Sequence, residues 1–261
     1  MEIIDILAGG ISFRKITRHF EFDAKERKDF HSTTLLISAI FFFFIWAFTD
    51  LNFTTGILTA IFCLVVTSIT LFLFIAIPKI VAIMRRCKAK YRGWTIGLLF
   101  SFVISFLSYG LIPVIFPGII EVESILRLRH GEVFHYERKK DVFWTLISAP
   151  ITNIILVLLL KPIYNMFPNP FIYYIMVLNA LMAVVAMLPL PENIGSHIFY
   201  VKKRWYFSLL FFFILFLILV LIKSPYMFWI ALMGLILGWL LTKTEKLSVV
   251  MNDSQNKYEK K

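Results

Sequence analysis

Apolar residues occur along this chain in long runs that are separated by short polar stretches. The runs lie at about 33–49, 55–84, 94–117, 142–160, 170–191, 205–222 and 225–242. A helix of about 18 or more apolar residues is long enough to cross roughly 30 Å of hydrocarbon. The pattern therefore predicts an all-α polytopic membrane protein with six to seven apolar segments.

One region has a different pattern. In residues 119–138, "IIEVESILRLRHGEVFHYER", apolar and polar positions partly alternate on both sides of a turn that contains Gly131. Alternation of this kind is typical of strands. The sequence therefore predicts a small β-hairpin at about 118–141, between the third and fourth apolar segments, with an edge to which another strand can pair.

Composition indicates a single membrane domain. Apolar residues make up 59% of the 261 positions and the mean hydropathy is +0.81, which is far above the level of a soluble domain. We expect a cytoplasmic or interfacial segment at 1–32, a membrane domain at 33–242 and a solvated tail at 243–261. Cys63 and Cys87 are too few for a disulfide framework.

The net charge of +11 indicates topology rather than nucleic-acid binding, because the basic residues are confined to polar loops. Of the 27 Lys and Arg residues, 24 lie in the regions 1–32, 85–93, 118–141, 192–204 and 243–261. The positive-inside rule places these regions and both termini on the cytoplasmic side of a multi-pass cell-membrane protein. This requires 94–117 to enter the membrane and return, for which "SYGLIP" at 108–113 supplies a Gly and a Pro. A single crossing helix is the alternative, and the sequence leaves both open. Lys79, inside a segment, is expected to snorkel to water.

A stretch with histidines and an acid is the first candidate for metal chemistry. The zinc motif HExxH needs two His four residues apart on one helical face, whereas His130 and His135 are five apart and enclose Gly131 and Glu132. We interpret them as solvated hairpin residues, with a loop metal site as the alternative. From residue 51 to residue 120 the sequence has no His, Asp or Glu. We therefore predict neither a metal site nor another cofactor.

Polar and helix-breaking residues inside two later apolar segments are a more specific signal. They are Pro150, Asn153, Asn179, Pro189, Pro191 and Gly195. A proline removes a hydrogen-bond donor and restricts the chain, and an Asn in lipid is costly unless it bonds another helix or a bound segment. Bonding between helices is one interpretation of each Asn, and a groove for a partner is the other.

Taken in order along residues 22–222, these features resemble the site-2 protease family of intramembrane zinc metalloproteases, in particular its archaeal-type members. A Pro-Gly pair at 117–118 precedes the predicted strands, as it does in the family. The sequence "SAPITN" at 148–153 is similar to the family's "AGPxxN" element. Asn179, followed by "LPLPENIG" at 188–195, is similar to the family's last element, which runs from an Asn to "LLPxPPLDG".

The resemblance ends at the residues that carry the family's chemistry. Phe74 and Pro78 occupy the positions of the two His of HExxH, and Ile75 occupies that of its Glu. Ile194 stands where the family has its metal-binding Asp. All four residues are apolar. The resemblance therefore implies a pseudoprotease that has lost both the zinc and the endopeptidase activity of its family.

In the active family the matching Asn residues and the edge strand hold an unwound substrate segment. The resemblance therefore implies a membrane protein that binds a transmembrane or extended segment of another membrane protein without cleaving it, through the six residues from Pro150 to Gly195 named above. A structural or assembly subunit of a larger membrane complex is one alternative. An active metalloprotease with displaced ligands, drawn from His130, Glu132, His135 and His197, is another.

Overall fold

The computed structural model describes residues 20–49, 52–85, 87–111, 113–124, 139–223 and 233. Helices dominate these residues, and in chain order they are α1 (Ala24–Phe48), α2 (Phe53–Met84), α3 (Thr95–Leu107), α4 (Lys139–Met166), α5 (Pro170–Ala186), α6 (Ile194–Val201) and α7 (Lys203–Leu221). Two strands, β1 (Cys87–Arg92) and β2 (Ile119–Ser124), complete the described elements.

Three of the helices, α1, α2 and α4, are long and apolar enough to cross a membrane, judged by length and composition. The helices α3, α5 and α7 are apolar but shorter. The mostly helical architecture predicted from the apolar runs is confirmed at this level, and the runs at 142–160, 170–191 and 205–222 correspond to α4, α5 and α7. The last predicted run, 225–242, lies outside the described residues except for residue 233.

Local capping residues set where two of the helices begin. The carboxylate of Glu26, at the third position of α1, accepts a hydrogen bond from the NH of Asp23 at 2.9 Å, as in a capping box. This cap explains why α1 begins well before the apolar run predicted at 33–49. At the start of α5, Pro170 occupies the first position and the Asn169 side chain accepts the NH of Phe171 at 2.9 Å, a combination that favours helix initiation.

The two strands pair antiparallel, with Cys87 opposite Ser124 and Arg92 opposite Ile119. Because the strands adjoin both ends of residues 93–118, that segment leaves the sheet and comes back to it. The outward arm is α3, which is about 20 Å long at 1.5 Å per residue. Of the two paths that the sequence left open, the structure therefore adopts the returning one, and the single crossing helix is wrong.

The reversal of this segment lies at Tyr109 and Gly110, whose φ angles are +51° and +80°. A Cβ on Gly110 would lie 2.1 Å from the carbonyl oxygen of Phe43, so the lack of a side chain lets the reversal pack directly on the backbone of α1. The way back, at 113–118, belongs to neither a helix nor a strand. It is named the return arm.

The predicted hairpin is matched only in part. The strand β2 lies within the predicted range, but its partner among the described residues is β1, which precedes it by a whole helix. The sequence interpretation had treated the β1 region only as a basic loop. The second half of the hairpin, 125–138, lies outside the described residues, and with it lie His130, Glu132 and His135.

The helices form a row of neighbours in which α3 packs on α1, α1 on α2, α2 on α4, α4 on α5 and α5 on α7. The short helix α6 packs on α4 and α7. An ion pair of 2.8 Å between Arg85 and Asp141 joins the end of α2 to the start of α4. The end of the molecule that carries the sheet is named the sheet end, and the opposite end, where α5 begins and where α4 and α7 end, is named the far end.

Candidate functional site

Two buried asparagines on neighbouring helices form the centre of the candidate site. Asn153 on α4 is 0% exposed and Asn179 on α5 is 1% exposed. Neither the Nδ2 nor the Oδ1 atom of Asn153 has a hydrogen-bond partner among the described residues. Asn179 donates to the carbonyl of Ile175 in its own helix at 2.9 Å, while its Oδ1 has no such partner. Within the described structure, neither side chain bonds a neighbouring helix.

The face of α4 around Asn153 contains further unpaired polar groups. Pro150, which is buried three residues earlier, has no NH to bond the carbonyl of Leu146, as position i in a helix normally bonds position i−4. The buried hydroxyl of Thr145 also lacks a partner within the described residues. The Thr145 hydroxyl and the Asn153 side chain are thus both buried on α4 without a described partner.

The turn that follows α5 is held by its own hydrogen bonds. The side-chain NH2 group of Asn193 donates to the carbonyls of Val185 at 2.6 Å and Leu188 at 3.2 Å, both at the end of α5. Its Oδ1 accepts the NH of Ile194 at 3.0 Å, which caps α6. The hydroxyl of Tyr206 donates to the carbonyl of Met187 at 2.8 Å. These bonds add to the main-chain bonds that the carbonyls of Val185 and Leu188 already accept from Leu188 and Leu190, and they tie the turn to α6 and α7.

Three predicted site residues belong to this turn, and two of them are peripheral. Pro189 and Pro191 are exposed, whereas Gly195 is buried. A Cβ on Gly195 would lie 2.2 Å from the carbonyl oxygen of Met187, so the glycine permits α6 to approach the end of α5. Asn193 was not among the predicted site residues, although an Asn directly before a short apolar helix is a recognisable capping signal.

The four positions that the resemblance aligns with the catalytic residues lie in the apolar core. Phe74, Ile75, Pro78 and Ile194 are all buried. Within the part of the chain that the structure describes, no three His, Cys, Asp or Glu side chains come together as a metal site requires. His197 lies on α6 and is exposed. The described residues therefore do not fit a zinc ion.

A buried ion pair lies next to these positions. The ammonium group of Lys79 is 2.8 Å from the carboxylate of Glu26, and the two side chains are 4% and 5% exposed. Lys79 also donates to the carbonyl of Glu21 at 2.9 Å and lies 4.1 Å from the ring centroid of Phe22. The other carboxylate oxygen of Glu26 accepts the NH of Tyr91 at 2.6 Å. The expectation that Lys79 snorkels to water was wrong, because an acid from α1 reaches it inside the protein.

Tyr91 joins the sheet to the return arm. Its hydroxyl donates to the carbonyl of Pro117 at 2.7 Å and lies 3.1 Å from the hydroxyl of Thr33 on α1. Burial raises the pKa of the Tyr91 hydroxyl well above its ordinary value, so the group stays protonated and keeps its role as a donor. Together, Tyr91, Glu26 and Lys79 fix β1 against α1 and α2.

The return arm offers unpaired main-chain groups. All residues of 113–118 are buried except Val114, which is half-buried. The NH and C=O groups of Val114, Ile115 and Phe116 make no hydrogen bond to any residue that the structure describes. Irregular backbone at membrane depth is tolerated only where protein or a cavity surrounds it. A stretch whose main-chain groups have no described partner is suited to pairing with an extended segment.

An apolar groove of about 500 Å³ lies between α1 and the reversal after α3, and it contains neither of the two asparagines. Its lining residues are Phe43, Trp46, Ala47, Phe106, Leu107 and Tyr109. The lining carries almost no hydrogen-bonding capacity beyond two aromatic polar groups. The groove therefore suits lipid chains or an apolar helix face better than a polar segment.

No family model, no curated protein and no solved structure matches this chain. What the chain does has to follow from its own residues and their geometry.

Proposed function

We propose that this chain is a catalytically inactive, archaeal-type relative of site-2 proteases that holds a transmembrane or extended segment of a partner membrane protein without cleaving it. The observation that carries the proposal is Asn153, which is fully buried with neither polar atom of its side chain bonded within the described residues. We place the protein in the cell membrane as a multi-pass protein with both termini in the cytoplasm, on the distribution of its cations.

The buried asparagines support capture because unpaired buried polar groups are rare. Most native proteins satisfy nearly all of them, and each exception costs roughly 1–3 kcal/mol. Asn153 and the Oδ1 of Asn179 carry that cost without a described benefit to the fold. The peptide groups of an unwound partner segment supply the donors and acceptors that these side chains lack. Since Asn153 is fully covered, capture includes a separation of the helix faces around it.

The return arm supports an extended form for the captured segment. Among the described residues, the NH and C=O groups of Val114, Ile115 and Phe116 have no partner, and strand addition uses such groups for affinity. The edge of β2 that faces away from β1 has no described strand next to it. The sequence analysis proposed that a partner strand pairs with the edge of the hairpin. We propose that the return arm also provides main-chain groups for this pairing, in addition to the side chains of Asn153 and Asn179.

Holding without cleavage is proposed because the aligned catalytic positions cannot do chemistry. Phe74, Ile75, Pro78 and Ile194 offer neither a ligand for zinc nor a base for water. All four contribute to apolar packing. We therefore propose that the protein uses no zinc cofactor. Its proposed partners are the bilayer and a membrane protein, and not a nucleic acid.

A structural or assembly subunit is the second candidate function, and the turn after α5 favours it. Asn193, Tyr206 and Gly195 explain that turn by its internal bonds and packing alone. Under this function, the residues of the turn stabilise the fold and do not contact a partner. Under this function Asn153 and Asn179 have no special weight for partner contacts.

Site-specific crosslinking separates the two functions. Benzoylphenylalanine is placed at Val114 in the return arm, and adducts are quantified after irradiation of membranes that contain the full chain. Capture predicts that Asn153→Ala and Asn179→Ala each reduce the adduct about five- to a hundredfold, as expected for a lost bond to a buried peptide group. Melting temperatures should not fall, because neither asparagine bonds another helix among the described residues.

Two controls define the outcome. The same crosslinker at Tyr200, which is exposed on α6, reports chance neighbours, and Asn165→Ala removes an exposed Asn of α4. Adducts that stay at the wild-type level in Asn153→Ala, together with a lower melting temperature, would reject capture and support the assembly function.

A further inference from the structure

Two lysines at the far end, Lys161 and Lys223, indicate a second binding site. Apart from the basic loops, the chain has three cations, which are Lys79, Lys161 and Lys223. Lys79 is paired with Glu26 near the sheet end. The other two lie at the opposite end of the molecule, on or next to helices that end there, and they meet in space.

The two lysines share a pair of tyrosines. The Nζ of Lys161, near the end of α4, is 3.4 Å from the carbonyl oxygen of Lys223, which follows α7. The Nζ of Lys223 lies 4.6 Å from the ring centroid of Tyr173, and that of Lys161 lies 5.6 Å from the ring centroid of Tyr164. The two rings are 6.2 Å apart. These four residues are named the lysine–tyrosine cluster.

Among the described residues, no acid lies next to the lysine–tyrosine cluster. No carboxylate of the described residues lies within 4.0 Å of either ammonium group, whereas Arg85 and Lys90 at the sheet end both have one. The described stretches that make up the far end, about 42–49, 52–62, 158–174 and 216–223, contain no Asp or Glu. A cluster of two cations at this end therefore favours an anion from outside the described structure.

Capping of α7 accounts for part of the arrangement only. Lys161 reaches the carbonyl of Lys223, and the hydroxyl of Tyr173 donates to the carbonyl of Leu221 at 3.2 Å. Cations are favourable at the negative end of a helix dipole. An ammonium group has three donors, however, and Lys161 has one described acceptor although it is only 8% exposed. The other two donors of this buried group have no acceptor among the described residues.

We propose that the lysine–tyrosine cluster binds the phosphate of an anionic phospholipid headgroup. Tyrosine and lysine side chains at helix ends lie at the level where headgroups are found. Basic pockets between membrane helices recognise such headgroups, and each Lys near an anionic membrane surface contributes about fivefold to the attraction. In the topology proposed above, that surface is the external leaflet. Phosphate accepts several hydrogen bonds at once, which matches the open donors of Lys161 and the cation of Lys223.

The test uses the purified full chain in a non-ionic detergent. Native mass spectrometry counts bound phosphatidylglycerol and phosphatidylcholine, and thermal melting is recorded with each lipid and with inorganic phosphate. We expect preferential retention of phosphatidylglycerol, a higher melting temperature with that lipid, and about a fivefold loss of retention for each of Lys161→Met and Lys223→Met. Lys161→Arg should preserve the preference because it keeps the charge.

One further double variant keeps the result decisive. Lys139→Met with Lys140→Met removes two exposed cations from the opposite end of α4. Equal losses from the Lys139/Lys140 and Lys161/Lys223 pairs would overturn the proposal, as would stabilisation by inorganic phosphate equal to that by the lipid.

Discussion

Polar side chains inside the membrane domain fall into two groups that look alike in the sequence. Lys79 and Asn193 are surrounded by partners that lie 53 and eight residues away, such as Glu26 and Val185. Asn153, by contrast, has none among the described residues. The sequence shows that each residue is polar and flanked by apolar neighbours. Which of them is satisfied depends on contacts between segments, and those are not visible in local patterns.

The ion pair of Lys79 and Glu26 gives a prediction about stability. Lys79→Met should cost about 3–5 kcal/mol of the free energy of unfolding, because it leaves the buried carboxylate of Glu26 uncompensated. Glu26→Gln combined with Lys79→Met should cost less than the sum of the single changes, since Gln retains an acceptor for the NH of Tyr91 without a charge. Denaturant or thermal unfolding in detergent measures the double-mutant cycle. Strictly additive costs would show that the pair is not coupled.

Asn193 gives a second prediction at this scale. Asn193→Ala should lower the free energy of unfolding by roughly 1–3 kcal/mol, because the buried turn loses the two bonds that the side chain donates to Val185 and Leu188 and the cap that it provides for Ile194. Asn165→Ala, at an exposed position of α4, is the matched control and should change stability by less than about 0.5 kcal/mol. Thermal melts of both variants decide the matter. Equal effects would mean that the turn does not depend on the Asn193 side chain.

At the scale of elements, the sequence predicted the helices better than the connections. Long apolar runs correspond to α1, α2, α4, α5 and α7, because helix periodicity and length are local properties. The strand β1 was not predicted as a strand, although buried Cys87, Ala89 and Tyr91 alternate there with Lys88, Lys90 and Arg92. This stretch was interpreted as a basic loop because of its three cations. That it is a strand depends on its pairing with β2, which follows α3 in the chain.

The reversal after α3 gives the prediction for this scale. Gly110→Ala should destabilise the protein, because φ is +80° and the added Cβ would lie 2.1 Å from the carbonyl oxygen of Phe43. A cost of roughly 1–3 kcal/mol is expected from the backbone strain alone. Thermal melting of the purified protein in detergent measures this loss.

Gly56→Ala is the matched control for that change. Gly56 lies in the first turn of α2, and an added Cβ would meet no atom within 4 Å. Alanine should be neutral there or stabilising by up to about 1 kcal/mol, because it has the better helix propensity. If Gly110→Ala melted at the temperature of Gly56→Ala, the reversal would not pack on α1 as described.

At the scale of the whole molecule, the sheet end gathers elements that are far apart in the chain. Glu26 links α1 to α2 through Lys79 and to β1 through Tyr91, while Arg85 links α2 to α4 through Asp141. The candidate site between α4 and α5 lies beside this framework. The sequence supplied its asparagines and the charge argument for a returning segment. It could not supply the burial of those asparagines or the unpaired return arm, which depend on how the row of helices packs.

The topology of the whole chain follows from this framework and gives the last prediction. Cysteines introduced at Lys88 in β1 and Glu123 in β2 should react from the same side of the membrane, because the two positions face each other in the sheet. A cysteine at Asn165, at the far end, should react from the opposite side. The background lacks Cys63 and Cys87, and the label is an impermeant maleimide applied to intact and to permeabilised cells.

The positive-inside rule gives the orientation of this arrangement. Positions 88 and 123 should be protected in intact cells and react only after permeabilisation, whereas position 165 should react in both. Labelling of position 123 from outside with position 88 protected would mean that 93–118 crosses the membrane once, and the sheet described here could not form. Labelling of both sheet positions from outside would keep the returning segment but reverse the molecule, because 24 of its 27 cations would then lie on the external side.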